Sequence, residues 1–300
     1  MDARERSLVV INTYDILGAL GWRGLTVGRR WVELAVRHPA RSFARSVMMF
    51  DDAIAAGDAR GEGMREAARG IVESFADGLS IRGASRVPPR GPLLLVANHP
   101  GMTDTVALCA AVPRADLRII AADRPFLRAL TAASRRLIFV PEGPGAAAAA
   151  GRAAAVRAAV AHLRAGGALL TFPAGEIEPD PDVLPGAVEA LSRWSPSTAL
   201  FIRRAPGCVV VPVVVHGVLS RRAQRNPLTR LRRTRKDREW LGAMLQIVMR
   251  TLVPGSWPVR VRVEFLPVIP AASLPGRPQE MLRVIREEVA GFLTSLSPGS

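Results

Sequence analysis

The chain has 300 residues, of which 49% are apolar and 22% charged, and a formal net charge of +15. That apolar content excludes an intrinsically disordered chain, and the length suits one large α/β domain with or without a helical appendage. Only two cysteines occur, Cys109 and Cys208, both in apolar surroundings, which excludes a disulfide framework and a cysteine-rich zinc site and predicts two buried reduced thiols.

Residues 1–78 read as an N-terminal helical region. Trp22, Leu25, Val27, Trp31, Leu34 and Val36 form an apolar cluster with arginines between, and Met64, Ala68, Ile71, Val72 and Phe75 recur at helical spacing. Two readings stand for these stretches: helices packed on a core, or an interfacial face with Trp22 and Trp31 at headgroup depth. No segment reaches the roughly 18 to 20 uncharged apolar residues that span a bilayer. The opening residues have mixed charge and Asp15 interrupts the apolar stretch after them, a poor secretory signal. The expected location is cytoplasmic, peripheral on the inner face of the cell membrane.

Residues 79–300 read as an α/β domain. Leu93–Ala97, Leu117–Ala121, Leu137–Val140, Ala168–Phe172 and Val209–Val215 are continuous apolar runs of strand length, as in strands buried on both faces. Helical stretches such as Ala146–Arg164 alternate with them, which predicts a mixed, largely parallel sheet flanked by helices. Strict alternation over Val259–Phe265 predicts an edge strand with one wet face. A final amphipathic helix carries Leu282, Ile285, Val289, Phe292 and Leu296 on one face.

Of 41 basic residues only Lys236 is a lysine, and residues 221–238 concentrate nine of them against one acid. Such a surface favours an anionic partner. No helix-turn-helix, zinc-finger or ribonucleoprotein signature accompanies it, which argues against nucleic acid. A solvated arginine-rich loop and a contact for anionic lipid or a phosphorylated carrier both fit the segment.

Four histidines are present. His162 falls on an alanine–arginine helix and reads as a surface residue, His38 has no acid at a suggestive spacing, and His216 ends a strand as a hydrogen-bonded structural residue or one facing a cleft. His99 stands apart. It follows the strand Leu93–Ala97 at the strand's carboxyl end, where α/β proteins place ligands, and Pro100-Gly101 turns the chain into a helix near Thr103. From the first helical turn Asp104 can reach back to the imidazole, fixing its tautomer and leaving the other nitrogen as a general base. Asp104 can equally cap the helix and complement its dipole. A Gly-x-Ser-x-Gly elbow, a Walker loop and a Cys–His pair are all missing, so a His–Asp dyad here suits direct transfer to a substrate hydroxyl. Gly143-Pro-Gly145-Ala-Ala-Ala148 approximates a dinucleotide fingerprint, but no acid ends a strand about 20 residues on.

Asn98-His99-x4-Asp104 resembles the first motif of the glycerolipid acyltransferases of the lysophosphatidic acid type. Phe172-Pro173-Ala174-Gly175-Glu176 is similar to that family's Phe-Pro-Glu-Gly block, and Val209–Val215 with Pro212 to its Val-Pro strand. The likeness spans about residues 80–270. Two positions depart from it: Ala174 stands where glutamate is usual, with Glu176 two positions later, and Glu142 occupies the place of an arginine thought to grip an acceptor phosphate.

The resemblance implies an O-acyltransferase of the 1-acylglycerol-3-phosphate acyltransferase type. It would move a fatty acyl group from acyl-CoA or an acyl carrier protein to a hydroxyl of a lysophospholipid or related lipid. His99 would be the base and Asp104 its partner. Asn98, Gly101, Phe172, Pro173, Gly175, Glu176 and Arg152 would bind substrate, with Arg135 or Arg136 as substitutes for the missing arginine. Backbone N–H groups of the Pro100-Gly101 turn or around Gly175 would hold the oxyanion. No metal or cofactor is implied. The partners implied are the thioester donor, a lipid acceptor and an anionic membrane surface, with no nucleic acid. The alternative is a catalytically inactive lipid- or carrier-binding protein of the same fold.

Overall fold

A computed structural model of the chain describes residues 2–22, 29–58 and 63–296. Three helices come first: α1 (Ala3–Leu20), α2 (Arg29–Gly57) and α3 (Gly63–Phe75). Asp2 caps α1 by accepting the Glu5 N–H at 2.7 Å, and Gly21 closes it in the left-handed conformation at φ 79°. Then follow β1 (Leu79–Arg82), β2 (Leu93–Ala97), α4 (Asp104–Ala111), β3 (Arg118–Ala122), α5 (Pro125–Arg128), β4 (Leu137–Val140), α6 (Ala146–Arg164) and β5 (Ala168–Thr171). The remainder comprises α7 (Ala187–Ala190), α8 (Ser197–Arg204), β6 (Val209–His216), α9 (Arg221–Gln224), α10 (Arg235–Leu252), β7 (Val261–Phe265), β8 (Ile269–Pro270) and α11 (Pro278–Leu296).

The strands form one eight-stranded sheet in the order β1-β7-β6-β2-β5-β3-β4, with β8 also on β6. β6, β2, β5, β3 and β4 run parallel; β7 is antiparallel to β6 and parallel to β1. The carboxyl ends of the five parallel strands therefore share one edge of the sheet. Successive side chains of a strand point to opposite faces. Leu93, Leu95 and Ala97 accordingly pack with α1–α4, while Leu94 and Val96 pack with α6, α8 and α11. Two covered faces explain the unbroken apolar runs. Leu8, Val9, Ala44 and Ile54 of the N-terminal helices share one core with the sheet residues Leu93 and Val213.

The strand predicted at Val259–Phe265 is not an edge. β7 lies between β1 and β6, and the short β1 takes the edge. The polar side chains that gave β7 its alternation are compensated: Arg262 donates to Asp182, in the segment after β5, at 2.8 Å, and Glu264 stands opposite Arg82 of β1. Compensated charges let an alternating segment sit inside a sheet. Within the N-terminal cluster Trp31 and Leu34 are exposed, whereas Val36 packs with Ile16 and Leu241; Leu25 and Val27 lie outside the described residues. Residues 221–238 are not a loop but α9, a 3-10 turn at Pro227–Leu231 and the start of α10. Cys109 and Cys208 are buried and unpaired, and burial pushes both thiols up to about 12. Among the described residues no helix is long and apolar enough to cross a membrane.

Candidate active site

All five residues of β2 are buried, and the chain leaves the sheet at Asn98-His99. His99 Nδ1 lies 2.7 Å from Asp104 Oδ2, and the Asp104 side chain is fully buried while that of His99 keeps 27% of its surface. Asp104 Oδ2 also accepts the Gly101 N–H at 3.0 Å, and Oδ1 takes the Thr105 N–H and hydroxyl. Asp104 thus both holds the imidazole and stabilises the start of α4. The five-residue gap works because the Pro100-Gly101 turn folds the chain back. Space at Gly101 is tight: a Cβ would stand 3.1 Å from Val218 Cγ2.

With Nδ1 committed to Asp104, Nε2 has no hydrogen-bond partner among the described residues. Phe172, just past β5, stacks on the imidazole with centroids 4.6 Å apart. Burial pulls the His99 pKa down, but Asp104, by charge and hydrogen bond, and Glu178 outweigh burial and the opposing Arg124, so the net shift is upward. A neutral imidazole in this frame accepts a proton readily and keeps it close to compensating charge.

The other residues singled out in the sequence take varied places. Asn98 is buried and both ends of its amide bond the Val215 backbone, so its polar atoms face β6. Pro173 offers its carbonyl to the Ser195 N–H at 2.9 Å. Gly175 has φ 65° and open space where a Cβ would stand, while its N–H donates to Phe172 at 3.1 Å. With the Gly101 N–H on Asp104 and Pro100 lacking one, neither of those glycine amides is available to an oxyanion. Glu176 is ion-paired with Lys236 and, at 2.9 Å, with Arg193; the Lys236 hydrogen bond leads in holding its carboxyl below the usual range. Arg152 donates to the Gly143 carbonyl at 2.9 Å, and Arg136 is paired with Asp58 at 2.9 Å. Glu142, past the end of β4, is exposed and paired with Arg124, past the end of β3, at 3.2 Å. His216 is buried with Nδ1 3.0 Å from Asp182, and His162 bridges the carbonyls of Asp116 and Ala168.

Residues 78–216 match the acyltransferase family model. Over that span the chain resembles an acyltransferase domain. The matched span holds strands β1 to β6 with His99, Asp104, Arg124, Phe172 and Glu176, while Val218 and Lys236 lie beyond it. Among solved structures the chain is similar to the 1-acyl-sn-glycerophosphate (LPA) acyltransferase PlsC from Thermotoga maritima. The two share 16% identity over 97% of this chain and 98% of that one, with a TM-score of 0.48. No curated protein sequence matches the chain.

The fold brings to His99 two groups that sequence patterning missed. Glu178 accepts the His99 N–H at 2.9 Å and Arg124 adds a positive charge. Both sit on loops at the carboxyl ends of strands, a position that was itself the available signal. Neither stands at a local spacing to His99 that would single it out.

Proposed function

We propose that this acyltransferase moves a fatty acyl group from an acyl thioester, on coenzyme A or acyl carrier protein, to a hydroxyl of a lysophospholipid or related lipid acceptor. The observation that carries the reading is the 2.7 Å contact of His99 Nδ1 with buried Asp104 beside an uncommitted Nε2. Nε2 takes the proton of the acceptor hydroxyl as its oxygen attacks the thioester carbon. A tetrahedral oxyanion forms, the C–S bond breaks, and the proton passes from Nε2 to the departing thiolate. Asp104 holds the ring and stabilises its charged form. The Gly101 and Gly175 N–H groups are already engaged by Asp104 and Phe172, so the oxyanion takes other donors.

The acceptor headgroup meets Lys236 and Arg193 around Glu176, a trio with excess positive charge, while Arg124 offsets Glu142. This supports an anionic acceptor of the 1-acylglycerol-3-phosphate kind despite the missing arginine. An intact dyad favours turnover over the binding-only alternative. The enzyme works from the inner membrane surface, where exposed Trp31 and Leu34 of α2 and the arginine excess meet anionic lipid.

The test is thiol release from palmitoyl-coenzyme A with a panel of lipid acceptors, for wild type and His99→Ala. Acceptor-dependent release lost in the variant is expected. Release that persists in the variant removes His99 as base. No release with coenzyme A or carrier-protein donors returns the reading to a binding protein.

A further inference from the structure

Glu176 and Glu178 both follow β5, and they face different partners. Glu176 sits among Lys236 and Arg193, half-exposed. Glu178 turns inward and is 3% exposed. Its Oε2 accepts the His99 N–H at 2.9 Å, its Oε1 accepts the Trp194 Nε1–H at 2.8 Å, and its own N–H donates to the His99 carbonyl at 2.7 Å. One residue, 79 positions away, therefore holds both main-chain polar groups of His99. Burying a carboxylate is costly unless its oxygens are hydrogen-bonded, and here each oxygen has an N–H donor. A neutral amide at this position could satisfy only one of those donors with its single oxygen.

We propose that Glu178 is a positioning residue for the transfer reaction. It locks the His99 backbone so that the imidazole stays on Asp104, and its negative charge steadies the imidazolium that forms during transfer. The inference rests on the reading of His99 as the base. The charged groups facing His99 are Asp104 from α4, Glu178 from the segment after β5, and Arg124 from the loop after β3. Those facing Glu178 are His99 and Arg193. Glu178 thus adds a second negative charge opposing Arg124 at His99.

The experiment follows His99 directly, by histidine-labelled NMR titration of the full chain with the His99 signal assigned by its loss in His99→Ala, and in parallel by steady-state transfer kinetics. In Glu178→Gln, His99 is expected to titrate at lower pH than in wild type. kcat is expected to fall about 10- to 100-fold, as for loss of a hydrogen bond to a charged group, with KM little changed. An unmoved His99 titration, or wild-type kcat, overturns the proposal. Trp194→Phe keeps the carboxylate and its bond to His99 and removes only the other anchor. It should leave the His99 titration near wild type, and a shift as large as that of Glu178→Gln means the site responds to packing alone and overturns the proposal. If Glu178→Gln does not fold, Glu178→Asp draws the carboxylate back by one methylene; His99 titration and kcat both at wild-type values then overturn it. Turnover surviving in His99→Ala defeats the base reading separately, while the NMR titration still reports whether Glu178 acts on His99.

Discussion

The side chain of Asn98 closes on the main chain of Val215 as a strand partner would. Its Oδ1 accepts the Val215 N–H at 2.7 Å and its Nδ2 donates to the Val215 carbonyl at 2.9 Å. The β2–β6 ladder ends with Ala97 opposite Val213, so Asn98 extends the pairing one step past the strand. His99 consequently leaves the sheet from a fixed point.

Asn98→Ala strips both bonds and leaves buried Val215 groups unsatisfied, each costing about 1–3 kcal/mol. At about 2–4 °C per kcal/mol for a domain of this order, the melting temperature should drop by about 5–15 °C. Calorimetry checks this, and a drop under about 2 °C would mean the amide is not the clamp.

Replacement of His99 by alanine should lower acyl transfer by about 10²–10⁴-fold, the usual worth of a general base. Asp104→Asn keeps the shape but not the charge and should cost about 10²-fold or more in kcat. Thiol-release kinetics measure both. An Asp104→Asn enzyme within threefold of wild type (about 0.7 kcal/mol) would remove the carboxylate from the mechanism.

The base must be neutral to take a proton, so the transfer rate should rise with pH as His99 deprotonates. Because Asp104 and Glu178 hold the His99 pKa above its ordinary 6.5, the midpoint of that rise lies above 6.5 and moves down in Asp104→Asn. For stability the sign is the same. A folded-state pKa raised above the unfolded one stabilises the fold fully below the unfolded value, and that gain is lost as pH climbs through the folded value. The melting-temperature gap between wild type and His99→Ala should therefore be wider near about pH 5.5 than near about pH 8.5. An equal gap at both would contradict the raised pKa.

Lys236→Ala leaves Glu176 with Arg193 alone and lowers the positive charge at the proposed headgroup position. KM for a lysophosphatidate acceptor should rise about 3- to 10-fold with kcat held, since the contact is made equally in ground and transition states. An unchanged KM would place the headgroup elsewhere.

On α2, Trp31 is 78% and Leu34 52% exposed, three residues apart on one helical face. Trp31→Glu with Leu34→Glu should weaken binding to vesicles containing anionic lipid, with the remaining binding falling as salt rises. Co-sedimentation measures it, and undiminished binding would exclude this face.

Much of the sheet is legible in the sequence. Runs such as Leu93–Ala97 and Val209–Val215 are apolar at every position because helices cover both faces, and only such strands lack alternation. Val259–Phe265 misled for the complementary reason: alternation reports polar side chains but not whether Arg262 and Glu264 meet water or opposite charge. His99 and Asp104 were visible together because a single turn joins them.

By itself the sequence determined the helix–strand alternation, the turn that carries His99 and the acid five residues on, since each depends on local periodicity and short-range reach. Only the tertiary structure decided that Asn98 serves β6 rather than a ligand, that Arg124 faces His99, and that Glu178 rather than Glu176 grips it. Those contacts join segments brought together by strand order, and strand order is set by long-range pairing that leaves no spacing in the chain to read.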